Sequence, residues 1–170
     1  GCKLVYMGDA RNNVANSLMI ICAKLGMAYT AIAPKTLWPE ENLLAEMRET
    51  ARESGGSITI TEDVDAVAGA DALWVSMGEE SKFSERIEQL SPYRVTMDMV
   101  QKTGNEEVIF LHCLPSFHDL NTEVGRAVYE QYGLTEMEVT DEVFRAPCSK
   151  VFDQAENRLH TIKAVMVSTL

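Results

Sequence analysis

Short apolar runs that stop at glycine, proline or a polar residue alternate along the chain with longer segments of helical periodicity. Runs bounded in this way are typical of buried strands. They predict strands at 3–7, 28–33, 57–61, 72–77 and 108–113, and a further short one at 93–97. In 57–61 only Ile58 and Ile60 are apolar, and such alternation is typical of an edge strand with one exposed face.

The segments between these runs carry apolar residues at helical spacing. They predict helices at 12–25, 40–53, 63–68, 80–90, 122–132 and 153–170. The first helix has one apolar face, made of Val14, Leu18, Ile21 and Leu25. The last has an apolar stripe, made of Leu159, Ile162, Val165 and Met166. An exposed stripe of this kind favours self-association.

Alternating strands and helices form parallel sheets with right-handed crossovers. We therefore expect an α/β fold: a doubly wound, mainly parallel sheet with helices on both faces, a Rossmann-like three-layer sandwich. The 170 residues suit a single domain. Ligands bind such sheets beyond the carboxyl ends of the strands, so position alone makes 8–16, 76–79 and 112–119 candidate site segments.

Charge and cysteine content narrow the function classes. Acidic residues outnumber basic ones by 26 to 15, for a formal net charge of −11. Because like charges repel, we expect neither nucleic acid nor an anionic membrane as a partner. The four cysteines, Cys2, Cys22, Cys113 and Cys148, form no CxxC pair and suit neither a zinc site nor a disulfide scaffold. We expect reduced thiols, a cytoplasmic protein and no metal site.

Two of the candidate segments carry hydrogen-bond donors. GDARNNVANS, which begins at Gly8, would expose backbone N–H groups at the start of a helix. Capping of the helix by asparagine explains the same residues without a ligand. WVSMGE places Ser76 and Gly78 just past a strand, where hydroxyl and N–H donors can hold a carboxylate. An ordinary turn is the alternative.

Two further segments carry a thiol, imidazoles and a guanidinium. In HCLPSFHD, Cys113 next to His112 could be a nucleophile, a non-covalent contact or an inert core cysteine. In VFDQAENRLH, Arg158 could bind a phosphate with its planar fork. A surface ion pair with Glu156 or Glu142 is the alternative for that arginine.

Taken together, the motifs GDARNNxxNS, WVSMGE, HCLPxFHD and VFDQAENRxHTIKA, in this order and spacing, resemble the ornithine carbamoyltransferases. The resemblance covers essentially the whole chain but only the C-terminal, ornithine-binding half of that family. It implies transfer of a carbamoyl group from carbamoyl phosphate to the δ-amine of L-ornithine, giving citrulline and phosphate. It also implies no metal, no redox cofactor and a parent enzyme that is a trimer or larger.

The resemblance also assigns roles to individual residues. Asn13, Ser76 and Met77 would hold the amino-acid end of ornithine. Cys113 and Leu114 would line the reacting centre, where Cys113 serves as an orienting contact rather than a covalent nucleophile. Arg158 would reach carbamoyl phosphate, and His112 would support the HCLP segment.

One position departs from the family pattern. The family carries an Asp four residues before the Ser of the SMG motif, where this chain has Ala72; Asp71 lies one residue further back. The stretch 69–74 also looks about four residues short for the family. Asp71 is therefore a doubtful candidate for the ornithine contact. Without a substitute, a charged contact worth about 1.5–3 kcal/mol is absent.

The family's other half carries STRTR and HPTQ motifs, and neither string occurs in this sequence. We therefore expect 1–170 to be an ornithine-binding domain that lacks the carbamoyl phosphate-binding domain and has no turnover alone. Two alternatives stay open at this point. One is a non-catalytic amino-acid-binding or structural module, and the other is a related carbamoyltransferase that acts on putrescine or aspartate.

Overall fold

The computed structural model describes residues 1–77 and 83–170. In this part of the chain, parallel strands form one five-stranded sheet in the order β3-β2-β1-β4-β5. The strands are β1 Lys3–Gly8, β2 Ala28–Ile32, β3 Ser57–Thr61, β4 Ala72–Ser76 and β5 Ile109–Leu111. The winding direction reverses between β1 and β4, which pair directly from Leu4↔Ala72 to Gly8↔Ser76. This is the doubly wound sheet that the sequence predicts.

Helices cover both faces of the sheet. They are α1 Asn13–Leu25, α2 Glu41–Ser54, α3 Phe83–Leu90, α4 Met97–Lys102, α5 Glu123–Tyr132, α6 Asp141–Phe144 and α7 Val151–Thr169. Alternate residues of β1 enter two separate cores. Leu4 and Tyr6 pack with α1 and α2, whereas Val5 and Met7 pack in a cluster that includes residues of α3, α5 and α6. Burial on both faces explains why the strand reads as a continuous apolar run.

The apolar face predicted for α1 is wrong at two of its four residues. The residues that α1 buries are Ala15, Met19, Cys22 and Ala23, whereas Ile21 and Leu25 are 47% and 65% exposed. Three of these four buried side chains are small, and Met19 is the large one. Val14 and Leu18 lie at the margin of this interface, half-buried.

The strand predicted at 93–97 is also wrong. Ser91–Tyr93 forms a short 3-10 helix, and Thr96 caps α4 by accepting a hydrogen bond from the Met99 amide. Val95 makes a single parallel bridge to Val139. The segment predicted as a helix at 63–68 is a 3-10 turn at Val64–Val67. Of the helix predicted at 80–90, residues 80–82 lie outside the described part of the chain.

None of the helices in the described ranges combines the length and apolar character needed to cross a bilayer. Helix α7 begins at Val151, two residues before its predicted start, and only Val151 is buried along it. The predicted apolar stripe of α7 is exposed, with Leu159 and Val165 at 63% and Ile162 at 48%.

We expect this stripe to cause self-association that increases with protein concentration, since burial of apolar surface stabilises a contact between copies. Sedimentation velocity over a wide concentration range measures it. Replacing Leu159 and Val165 together by lysine should reduce the association. His160→Lys adds a charge on the other side of α7 and serves as the matched control. A clean monomer at every concentration would contradict the expectation.

Candidate functional site

The carboxyl ends of β1 and β4 meet at the point where the winding of the sheet reverses. Gly8 has a φ of +109°, and a Cβ built there would lie 2.2 Å from the Ser76 carbonyl oxygen. The next amide, Asp9 N–H, donates to that same oxygen at 2.9 Å. Because glycine has no Cβ, the ends of β1 and β4 can approach each other closely, and the first two candidate segments meet there.

A buried tyrosine supports the turn after β1. The Tyr6 hydroxyl donates to the Asp9 carbonyl oxygen at 3.1 Å and accepts from Asn12 Nδ2 at 2.6 Å. Burial raises the pKa of Tyr6 far above its ordinary value, although hydrogen bonds with Asn12 and Ser76 act in the opposite direction. Tyr6 therefore stays a neutral hydroxyl and a fixed hydrogen-bonding partner at this edge.

The asparagines of the first motif divide between two roles. Asn12 is the cap of α1, since its Oδ1 accepts from Ala15 N–H at 2.9 Å. Asn13 is the first residue of α1, and its side chain is exposed at the same edge of the sheet. The capping alternative is thus confirmed for Asn12, and Asn13 is the asparagine placed toward solvent.

The second and third candidate segments are joined by a buried carboxylate. The Met77 amide donates to Glu138 Oε1 at 2.9 Å, and Glu138 Oε2 lies 2.9 Å from His112 Nε2. The side chains of His112 and Glu138 are 2% and 5% exposed. Ser76 and Met77 are both buried. Gly78 and Glu79 of the WVSMGE motif lie outside the described residues.

The HCLP segment turns sharply at the end of β5. Leu114 has a φ of +46°, and the Leu114–Pro115 peptide bond is cis. The Leu114 amide donates to His112 Nδ1 at 3.0 Å, and the His112 amide donates to Gln154 Oε1 of α7 at 3.1 Å. His112 is thus held at both its ring nitrogens and its backbone, as a supporting residue would be.

Cys113 and Arg158 line one cavity. Its volume is about 450 Å³, and its walls come from 112–113 and from one face of α7. Cys113 is exposed, but desolvation by the protein around its thiol raises the thiol pKa, and the negative charge of Glu138 adds to this effect. The thiol is therefore protonated at neutral pH, which argues against a thiolate nucleophile and favours a non-covalent contact.

Because the thiolate is the reactive form, the raised pKa predicts slow alkylation of Cys113 near neutral pH. The rate should rise with pH through a midpoint above the ordinary cysteine range. Peptide mass spectrometry after iodoacetamide treatment from pH 7 to pH 11 measures it, with N-acetylcysteinamide, which has no carboxylate, as the control. A Cys113 midpoint below that of N-acetylcysteinamide would contradict the assignment.

The structure does not bring Asp71 to this site. Asp71 lies just before the amino end of β4, whereas Ser76 is at the carboxyl end of that strand. Its carboxylate accepts from Lys3 N–H at 2.7 Å and from Asn105 Nδ2 at 3.2 Å. Those bonds connect the start of β1 to the turn at Asn105. This placement argues against Asp71 as an ornithine contact.

His118, which ends the third motif with Asp119, belongs to a separate network. Its Nδ1 lies 2.8 Å from Asp141, and its ring stacks on Phe144 at 3.5 Å. Three groups that can ligate a metal, from His118, Asp119 and Asp141, lie within 4.8 Å of one another. Arg145 makes ion pairs with both carboxylates at 3.1 and 2.9 Å. The positive charge of Arg145 repels a cation at this position. We therefore interpret the network as one that stabilises the fold.

Sequence reasoning missed Glu138 and Gln154. Glu138 stands between the buried Met137 and Val139, and a single acidic residue flanked by apolar ones carries no motif. Gln154 lies inside the VFDQAENR motif, but its type gave no reason to prefer it over its neighbours. Only the fold shows that these two side chains reach His112.

Known proteins share this sequence and this fold. The family model described as aspartate/ornithine carbamoyltransferase, Asp/Orn binding domain, matches residues 1–169. The chain is 62% identical over 175 residues to the catabolic ornithine carbamoyltransferase of Bacillus licheniformis, with 100% of this chain and 52% of that protein covered. It is 59% identical to an ornithine carbamoyltransferase of Streptococcus pyogenes, with the same shares covered.

Solved structures give the same result. The ornithine carbamoyltransferase from Pyrococcus furiosus superposes with a TM-score of 0.80 at 38% identity, covering 98% of this chain and 49% of that one. The chain thus spans about half the length of the relatives it matches. The match to the family model over 1–169 and the 62% identity show that the chain belongs to the aspartate/ornithine carbamoyltransferase family.

Proposed function

We propose that this chain is the ornithine-binding part of an ornithine carbamoyltransferase and that it binds L-ornithine where β1, β4 and β5 end. The observation that carries the proposal is the junction of the three strand ends through the Gly8–Ser76 contact and the Glu138 bridge. The names of the relatives, catabolic ornithine carbamoyltransferase among them, support ornithine as the substrate.

In this proposal the residues act by binding and orientation. Asn13, Ser76 and Met77 hold the amino-acid end of ornithine, and Cys113 and Leu114 line the reacting centre. The neutral δ-amine attacks the carbonyl carbon of carbamoyl phosphate, a C–N bond forms, the C–O bond to phosphate breaks, and the departing phosphate takes up the proton that the amine loses. The nucleophile belongs to the substrate, so orientation and charge stabilisation are what the protein supplies.

Arg158 supplies the positive charge in this scheme. It lies on the α7 wall of the cavity that also contains Cys113, and its guanidinium fork matches the oxygens of a departing phosphate. We propose that carbamoyl phosphate is held mainly by protein outside these 170 residues, since the chain spans about half of its relatives. The chain alone should then form no citrulline. Citrulline production by the pure chain would contradict this part.

Titration of the chain with L-ornithine, followed residue by residue by NMR, tests the binding site. We expect shifts that cluster at Asn13, Ser76, Met77 and Cys113. Aspartate and putrescine are the comparison ligands, because each retains only one part of ornithine's chemistry. Tighter binding of either would favour the related carbamoyltransferase. No shift with any of the three at millimolar concentration would mean that the short 69–74 stretch prevents binding, or that ornithine binding requires protein outside these 170 residues.

The proposal also includes the cellular compartment and the oligomeric state. The cysteines Cys2, Cys22, Cys113 and Cys148 are free thiols in the structure, which suits a reducing compartment such as the cytoplasm. We also propose that the parent enzyme is a trimer or larger, as the resemblance implies. Mass measurement of the full-length enzyme under native conditions tests the second property.

A further inference from the structure

We propose that Glu138 is the positioning residue of this site. Its carboxylate fixes the tautomer of His112 and holds the segments after β4 and β5 at one spacing. The inference rests on the proposed function, since it concerns the same site.

Beyond a certain point, β4 and β5 no longer pair. Their register runs from Ala72↔Ile109 to Trp74↔Leu111. The site residues Ser76–Met77 and His112–Leu114 lie past this last pair. The Glu138 carboxylate joins these segments by a polar link, with one oxygen on Met77 N–H and the other on His112.

The backbone of Glu138 is itself held. Its carbonyl oxygen accepts from Val95 N–H at 2.9 Å, and Thr140 N–H donates to the Val95 carbonyl oxygen at 3.1 Å. The carboxylate therefore projects from a fixed bridge, Val95↔Val139. A buried charge is stable only when it is fully paired, and both oxygens of Glu138 have a donor.

The bonds around His112 select one tautomer. Because Leu114 N–H donates to Nδ1 at 3.0 Å, Nδ1 carries no proton. The proton is then on Nε2, and Nε2–H donates to Glu138. The result is one continuous series of hydrogen bonds from Met77 through Glu138 and His112 to Leu114. It fixes the backbone on both sides of the proposed ligand.

Glu138→Gln breaks this series while keeping the shape of the side chain. An amide offers one acceptor oxygen and one NH₂ donor, so it cannot accept from both Met77 N–H and His112 Nε2–H. Either Met77 N–H loses its acceptor, or His112 shifts its proton to Nδ1 and releases Leu114 N–H. We expect faster hydrogen exchange at one of these two amides. We also expect the Kd for ornithine to rise at least about tenfold, the loss of affinity expected for one charge-assisted hydrogen bond.

The test combines ¹⁵N NMR of the His112 ring, amide exchange and ornithine titration on the same protein. The expected wild-type result is the Nε2–H tautomer. Glu142→Gln removes the same charge at an exposed position and should leave all three readouts unchanged. If Glu138→Gln does not fold, Glu138→Asp keeps the charge but is one methylene shorter, so it should also release one of the two contacts.

The outcomes separate the inference from the proposed function. A wild-type proton on Nδ1, or unchanged tautomer and amides in the folded Glu138 variant, overturns the positioning role whatever the ligand does. Ornithine binding that is equal in wild type and variant also overturns it and leaves the proposed function standing. Absence of ornithine binding in the wild type overturns the proposed function for this chain, and the ligand-free readouts still decide the role of Glu138.

Discussion

Replacing Gly8 by alanine should lower the free energy of unfolding by about 3–5 kcal/mol. A φ of +109° strains any residue with a Cβ, and such strain alone costs about 1–3 kcal/mol. The added Cβ would also lie 2.2 Å from the Ser76 carbonyl oxygen, which is backbone and cannot rotate away. The strands β1 and β4 must separate at Gly8↔Ser76 to admit it. Urea unfolding monitored by circular dichroism measures the loss.

Gly55→Ala is the matched control for this prediction. Gly55 also has a positive φ, +86°, but nothing lies within 4 Å of a Cβ built there. It should lose only the strain of a left-handed residue, about 1–2 kcal/mol. An equal loss in the two variants would mean that the close approach at Ser76 adds nothing. The first strand-to-helix turn would then owe its glycine to backbone conformation alone.

Much of the fold is predictable from the sequence because both faces of the sheet are buried. A strand buried on both faces is a continuous apolar run, and glycine or proline marks where it stops. The five strands accordingly lie where the pattern places them, within a residue or two at their ends. The edge strand β3 keeps the alternation expected of it, with Ile58 and Ile60 inward.

The phase of α1 was not predictable in the same way. This helix carries apolar residues around most of its circumference, including Leu18, Met19, Ile20, Ile21 and Cys22. Spacing alone then favours the largest side chains. Packing close to the sheet and α2 favours small ones such as Ala15 and Ala23 instead. The tertiary contact, which the pattern does not contain, decides the face.

The site residues were likewise predictable only in part. Strand ends could be read from the sequence, so the segments at Gly8, Ser76 and His112 could be named in advance. Glu138 could not, because it lies 61 residues from Met77 and 26 from His112 along the chain. Asp71 is a candidate in the sequence only because it stands near the family's Asp position. Because β4 lies between them, Asp71 is at the amino ends of the strands and Ser76 is at the carboxyl ends.

The second large effect is expected at the ion pair between Asp9 and Arg86. Arg86 Nη1 of α3 donates to Asp9 Oδ2, and the side chains are 17% and 4% exposed. Arg86→Met keeps the length of the side chain but leaves the Asp9 carboxylate buried without its cation. Breaking a buried pair from one side costs about 3–5 kcal/mol. Urea unfolding measures the loss.

A double-mutant cycle shows whether this loss comes from the pair. Asp9→Asn keeps an oxygen for Arg11 N–H, which now donates to Asp9 Oδ1 at 3.0 Å, and it removes the charge that Arg86 faces. The double variant should therefore lose less stability than the two single losses added together. Lys102→Met is the control, because Lys102 pairs with Asp65 and Asp98 at the exposed surface and should matter little. Strictly additive losses would mean that Arg86 stabilises α3 through its packing, independently of the carboxylate at the end of β1.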